Sequence, residues 1–132
     1  MVNSDDAYRV LTHAVEDCTG LWDAVWELCA ARDWSEDESK SLLEYESKIP
    51  IAKSILLSMS QFGWIEFYRG TSWLPSANTE TVVRPEDIES IFSDISYWQI
   101  PDGGEYICFY ATPKGRQKRL QGKQSLTEFD SM

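Results

Sequence analysis

ATPKGRQKRL, residues 111–120, sets Lys114, Arg116, Lys118 and Arg119 within six positions. Cations at that density can neutralise phosphates along a nucleic acid backbone. They can equally clothe the solvated face of a terminal helix, where those near its C-terminal end complement the helix dipole. His13, the only histidine, could act as a general base, but it sits among apolar neighbours of an amphipathic stretch, the setting of a packed or surface histidine. The chain has no G-x-S-x-G, P-loop, H-E-x-x-H or glycine-rich dinucleotide turn. Its many carboxylates cannot be paired from sequence into an acid and a base at a defined separation. Cys18, Cys29 and Cys108 are odd in number and widely spaced, which predicts buried thiols and neither a disulfide framework nor a CxxC metal pair. The expectation is a non-enzyme without cofactor or metal, and the chemistry left to it is binding.

Charge sharpens that expectation. The 132 residues carry a formal net charge of −10, unevenly spread: residues 1–112 hold 20 acids and 7 bases, and residues 113–132 hold 2 acids and 5 bases. A body this acidic repels phosphate and attracts basic partners, although acidity can also serve solubility alone. With 42% apolar and 13% aromatic residues, one domain with a real core is expected. No stretch approaches the roughly 18 apolar residues of a membrane span, and no secretory leader opens the chain, so a cytoplasmic protein is expected.

Periodicity places the elements. Ser4 can cap a helix with Ala7, Val10, Leu11, Ala14 and Val15 on one face, interrupted at Thr19-Gly20. Leu21, Trp22, Val25, Trp26, Leu28 and Cys29 stripe a second helix. Ser35 and Glu38 match the capping-box pattern of a third, with Leu42, Leu43 and Tyr45 on one side. Pro50 stops it or opens the next, whose face is Ile51, Ile55, Leu56, Met59 and Phe62 and whose end is Gly63. Trp64 to Gly70 and Tyr106 to Ala111 read as strands. Between them lies an insert, residues 71–105: a loop over 71–83, a helix opened by Pro85 with Ile88, Ile91, Phe92 and Ile95 at helical spacing, and a turn at Asp102-Gly103-Gly104. Residues 121–132 read as a frayed polar tail.

The run SILLSMSQFGWIEFYRG followed by YICFYATPKGRQKRL resembles the winged-helix domains of MarR/PadR-type bacterial regulators. In these a recognition helix ends near a glycine, two strands form a wing, and the second strand leads into a helix start of the "LTPKGR" kind. The resemblance implies an α+β fold: a mostly helical domain, 1–132, with an N-terminal helix over 1–20, a body over 21–120, and a two- or three-stranded antiparallel sheet carrying a helical insert between its wing strands. It also implies a DNA-binding set of Lys53, Lys114, Arg116, Lys118 and Arg119.

The residues depart from that implication. The helix Pro50–Gly63 offers only Lys53 and Gln61 among the residues that usually read base edges, and Glu36, Asp37, Glu38, Glu44 and Glu46 precede it. Where a DNA binder has a basic wing tip, residues 80–105 hold seven acids against Arg84. In that insert Trp73, Tyr97 and Trp98 lie beside Glu86, Asp87, Glu89 and Asp94. Rings among carboxylates are the mix of an interface that anchors on aromatics and steers by charge, although the same rings can fold the insert onto the body. In size, acidity and lack of a catalytic set the chain resembles small acidic immunity proteins, which implies a basic protein partner such as a nuclease-type toxin. A DNA-binding regulator is the alternative, and a homodimer is compatible with either.

Overall fold

The computed structural model describes residues 3–16, 19–29, 38–70, 81–99 and 105–129. Helix α1, Ser4–Glu16, buries Ala7, Val10, Leu11 and Ala14 at helical spacing. Its cap is Asn3 and not Ser4: Asn3 Oδ1 accepts from the Asp6 N–H at 2.8 Å, and the Asn3 carbonyl takes the first helical bond from Ala7. Thr19–Gly20 is a short strand, β1, and Leu21–Leu28 form α2. Asp23 reaches back to accept from the Gly20 N–H at 3.1 Å, satisfying a donor at the start of that helix.

The two helices expected around Pro50 are one. Helix α3 runs from Glu38 to Gln61 with Pro50 inside it. Proline cannot donate to the carbonyl of Glu46, but Glu46 and Pro50 are both exposed, so water can take up the freed acceptor. Ser35 of the expected capping box lies outside the described residues. Inward-facing Tyr45, Ile49, Ala52, Ile55, Leu56 and Met59 are buried, whereas Leu43 turns outward. Gly63 ends the helix at φ +79°. Its N–H bonds to the Ser60 carbonyl at 3.0 Å and the Trp64 N–H to the Met59 carbonyl at 2.9 Å, the paired bonds of a Schellman cap.

The chain then enters β2, Ile65–Gly70, which pairs antiparallel with β4, Tyr106–Ala111, in a register from Ile65 opposite Ala111 to Gly70 opposite Tyr106. A short β3, Thr81–Val82, pairs with Arg69 and Tyr68, and β1 pairs with Phe109 and Cys108 on the far side of β4. The fold is therefore α+β, mostly helical, with a four-stranded antiparallel sheet in the order β1-β4-β2-β3. The two outer strands have two residues each and carry no period-2 signal, which is why a smaller sheet was expected.

After β3 comes a 3-10 turn, Pro85–Asp87, with Pro85 at its start, then α4, Ile88–Ser93, and a second 3-10 turn, Ile95–Trp98. Ile88, Ile91 and Phe92 are buried as their spacing requires, but Ile95 is 56% exposed. Asp94 is the cause: its carboxylate accepts from the Ser96 N–H at 3.0 Å and the Ser96 hydroxyl at 2.7 Å, which starts a new turn and rotates Ile95 outward. The turn expected at Asp102 lies outside the described residues.

Helix α5, Pro113–Leu120, is tied to the α3 cap through Thr112. Thr112 Oγ1 accepts from the Gly115 N–H at 3.1 Å and donates to the Gly63 carbonyl at 2.6 Å, while the Thr112 N–H donates to the Trp64 carbonyl at 2.9 Å. The described part of the tail after α5, which ends at Phe129, packs onto the body instead of fraying. Lys123–Phe129 form two 3-10 turns that meet at a kink at Leu126; Leu126 and Phe129 are completely buried, and the Phe129 ring sits 5.9 Å from the Trp64 ring. Two apolar residues in a polar run give no periodicity to read, so their docking is visible only in three dimensions. Among the described residues one apolar core joins residues from α1, α2, α3 and α4, from β2 and β4, and Trp98, Leu126 and Phe129; α5 buries only Gly115. Among the described residues no helix is long and apolar enough to cross a membrane.

Candidate partner-binding surface

Trp98 occupies a different place from the accessible anchor that its loop sequence suggested. Its side chain is fully buried, so in this fold it belongs to the core and offers no ring to a partner. The indole Nε1–H donates to the Phe92 carbonyl at 3.2 Å, the Phe92 ring meets it edge-on at 5.4 Å, and the Lys53 ammonium lies 5.6 Å from its centroid. The Tyr45 hydroxyl, itself buried on α3, donates to the Trp98 carbonyl. Burial holds the Tyr45 phenol well above its ordinary range, so it stays a donor. Trp98 thus fastens the second half of the insert to α3.

Tyr97 is half-buried and its hydroxyl donates to Glu105, which also pairs with Arg69 at 3.2 Å. The bond to Glu105, aided by burial, raises the Tyr97 phenol above its usual value. Arg69 and Glu105 flank this ring from β2 and the entrance to β4, a juxtaposition that the sequence separation hides. Trp73 lies outside the described residues.

The four carboxylates expected at this surface lie close together along the chain. Glu86, Asp87, Glu89 and Asp94 are all exposed on the stretch from Pro85 to Asp94. Among the described residues Glu86, Asp87 and Glu89 form no ion pair, in contrast to Asp6 with Arg9, Glu105 with Arg69 and Asp5 with Lys123. The hydrogen bonds from Ser96 hold the Asp94 carboxyl below its ordinary range. Ile95, which its spacing placed on the buried helix face, and Val82 of β3 are each 56% exposed. Beside this face, a groove of about 840 Å³ separates α3 from the Pro85–Ser93 stretch, with Leu57, Ile88 and Phe92 in its lining and Glu89 and Lys53 also bordering it.

The basic residues are divided. Lys53 faces this groove from α3, while Lys114, Arg116, Lys118 and Arg119 lie together on α5. There Lys114 and Lys118 border a second groove with Gln61, Phe62 and Trp64, and the Lys118 ammonium lies 5.1 Å from the centroid of the Trp64 ring. Arg116 is exposed and Arg119 is half-buried. His13 Nε2 stands 2.7 Å from Glu27 Oε2, a contact that joins α1 to α2. Cys29 and Cys108 are buried; desolvation first, and then the charge of Glu44, push the Cys29 thiol up to about 11. Cys18 lies outside the described residues. No protein family, curated protein or solved structure matches the chain.

Proposed function

We propose that this chain is a non-enzymatic, acidic protein-binding module of the immunity or antitoxin kind, which neutralises a basic protein partner. One observation carries the reading: Glu86, Asp87, Glu89 and Asp94 project from a stretch whose own core, Phe92 and Trp98, is locked to α3. Carboxylates presented on a fixed support lose little freedom on binding, and unpaired ones steer a cationic surface toward them. A nuclease-type toxin, basic because it must hold phosphate, fits that description.

The test begins by recovering the partner at low salt from cells that make the protein, then measuring the purified pair. Glu86→Lys, Asp87→Lys and Glu89→Lys are combined with Asp94→Asn, which keeps an oxygen to cap the turn at Ser96. Affinity is expected to fall at least about 100-fold and to weaken steeply with salt. A partner that is acidic, or affinity indifferent to the combined variant, rejects the proposal.

The finer fold reading is a winged helix, and the strand order supports it: β1, which separates the first two helices, pairs with the last strand, and β2 pairs antiparallel with β4 as the two strands of a wing would. That order also keeps a DNA-binding regulator as the second reading, through Lys114, Arg116, Lys118 and Arg119. Lys53 fits it poorly, because its groove is shared with Glu89. Retention of promoter DNA at about 0.15 M salt would favour the regulator over the neutraliser.

A further inference from the structure

We propose that the groove between α3 and the Pro85–Ser93 stretch receives an apolar side chain from a basic segment of the partner, so that recognition combines an apolar anchor with flanking cations. This rests on the acidic binding module argued above and specifies where and how it grips.

The lining supplies both halves. Leu57 projects from α3 with 42% of its surface exposed, while Ile88 and Phe92, each 8% exposed, form an apolar wall opposite. A leucine left so exposed beside such a wall is apolar surface that a partner's side chain can cover. Glu89 borders the same groove, and Glu86 and Asp87 lie on the adjoining turn, exposed and without ion pairs among the described residues. Lys53 is the opposing charge, but its ammonium is drawn over the Trp98 ring. A segment carrying an apolar residue between lysines or arginines therefore matches the site in polarity and charge. An acidic one meets Glu89, and a purely polar one leaves Leu57 uncovered.

The test uses the full chain, isotopically labelled for NMR, titrated at low salt with a short helical peptide of lysine and leucine. Two controls accompany it: an isocharged lysine–serine peptide and a glutamate–leucine peptide. Shifts are expected to centre on Leu57, Ile88, Glu89 and Phe92 with the lysine–leucine peptide, with affinity at least about tenfold above the lysine–serine peptide, the value of burying one leucine. Leu57→Ser, an exposed site, is expected to remove that advantage, and Glu89→Gln to weaken both cationic peptides.

Equal binding of the two cationic peptides across Glu86–Asp94 overturns the groove inference while leaving the acidic module standing. Absence of binding by either cationic peptide sinks both. Shifts at the groove that track the concentration of the protein alone mean that it is filled by a second copy, whose α5 presents a 79% exposed Leu120 beside Arg119, and overturn the assignment to a partner.

Discussion

At Trp98 the ring of Phe92, the carbonyl of Phe92, the hydroxyl of Tyr45 and the ammonium of Lys53 converge on one buried residue. Removing so large a side chain leaves a cavity that the surrounding helices can only partly close. Trp98→Ala is expected to lower stability by about 3–5 kcal/mol. Trp98→Phe keeps most of the packing and loses the indole donor, leaving the Phe92 carbonyl unsatisfied, and is expected to cost about 1–2 kcal/mol. Urea unfolding measures both. A loss under about 1 kcal/mol for Trp98→Ala would return the ring to the role its loop sequence suggested, an anchor held in reserve for a partner. Residue type alone could not decide this. A tryptophan among carboxylates reads the same whether it faces inward or outward, and only the bonds from Tyr45, 53 positions away, and to Phe92 separate the two cases.

Elements set by local chemistry were legible in the sequence. The glycine at the end of α3, the two long strands and Pro85 at the start of its turn all rest on signals within a few residues. Elements set by neighbours were not: α3 continues through Pro50 because Glu46 and Pro50 face water, and the segment around Leu126 and Phe129 docks only because Trp64 and α1 await it. The TPKG start of α5 lies between these cases. Its threonine cap and proline are readable, whereas the demand for glycine is tertiary: a β-carbon on Gly115 would lie 2.0 Å from the Trp64 carbonyl oxygen. Helix propensity favours alanine there by about 1 kcal/mol. The obstructing atom is backbone, however, and it also accepts from the Thr112 N–H, so it cannot yield without breaking the junction between α3 and α5. Gly115→Ala is therefore expected to destabilise by about 2 kcal/mol net, read from the urea midpoint. A neutral or stabilising result would mean that α5 rides free of the α3 cap.

Across the whole molecule, 22 acids against 12 bases make charge a term in both stability and binding, with opposite responses to salt. Self-repulsion among the acids opposes the folded state, which holds them closer than the unfolded chain does. The ion pairs Arg9–Asp6, Arg69–Glu105 and Lys123–Asp5 all keep contact with solvent, and such pairs contribute at most about 1 kcal/mol each. Repulsion spread over an excess of ten acids outweighs them. Shortening the screening length from about 30 Å at 0.01 M salt to about 10 Å at 0.1 M is therefore expected to stabilise the fold. The urea midpoint should rise over that range and then level off, a plateau that separates screening from the steadier gain produced by excluded salts. Over the same range the affinity for a cationic partner should fall, because screening there removes attraction. A midpoint that falls with added salt would mean that ion pairs dominate the fold, and Glu86, Asp87 and Glu89, which form no ion pair among the described residues, would then lose their standing as charge held out for a partner.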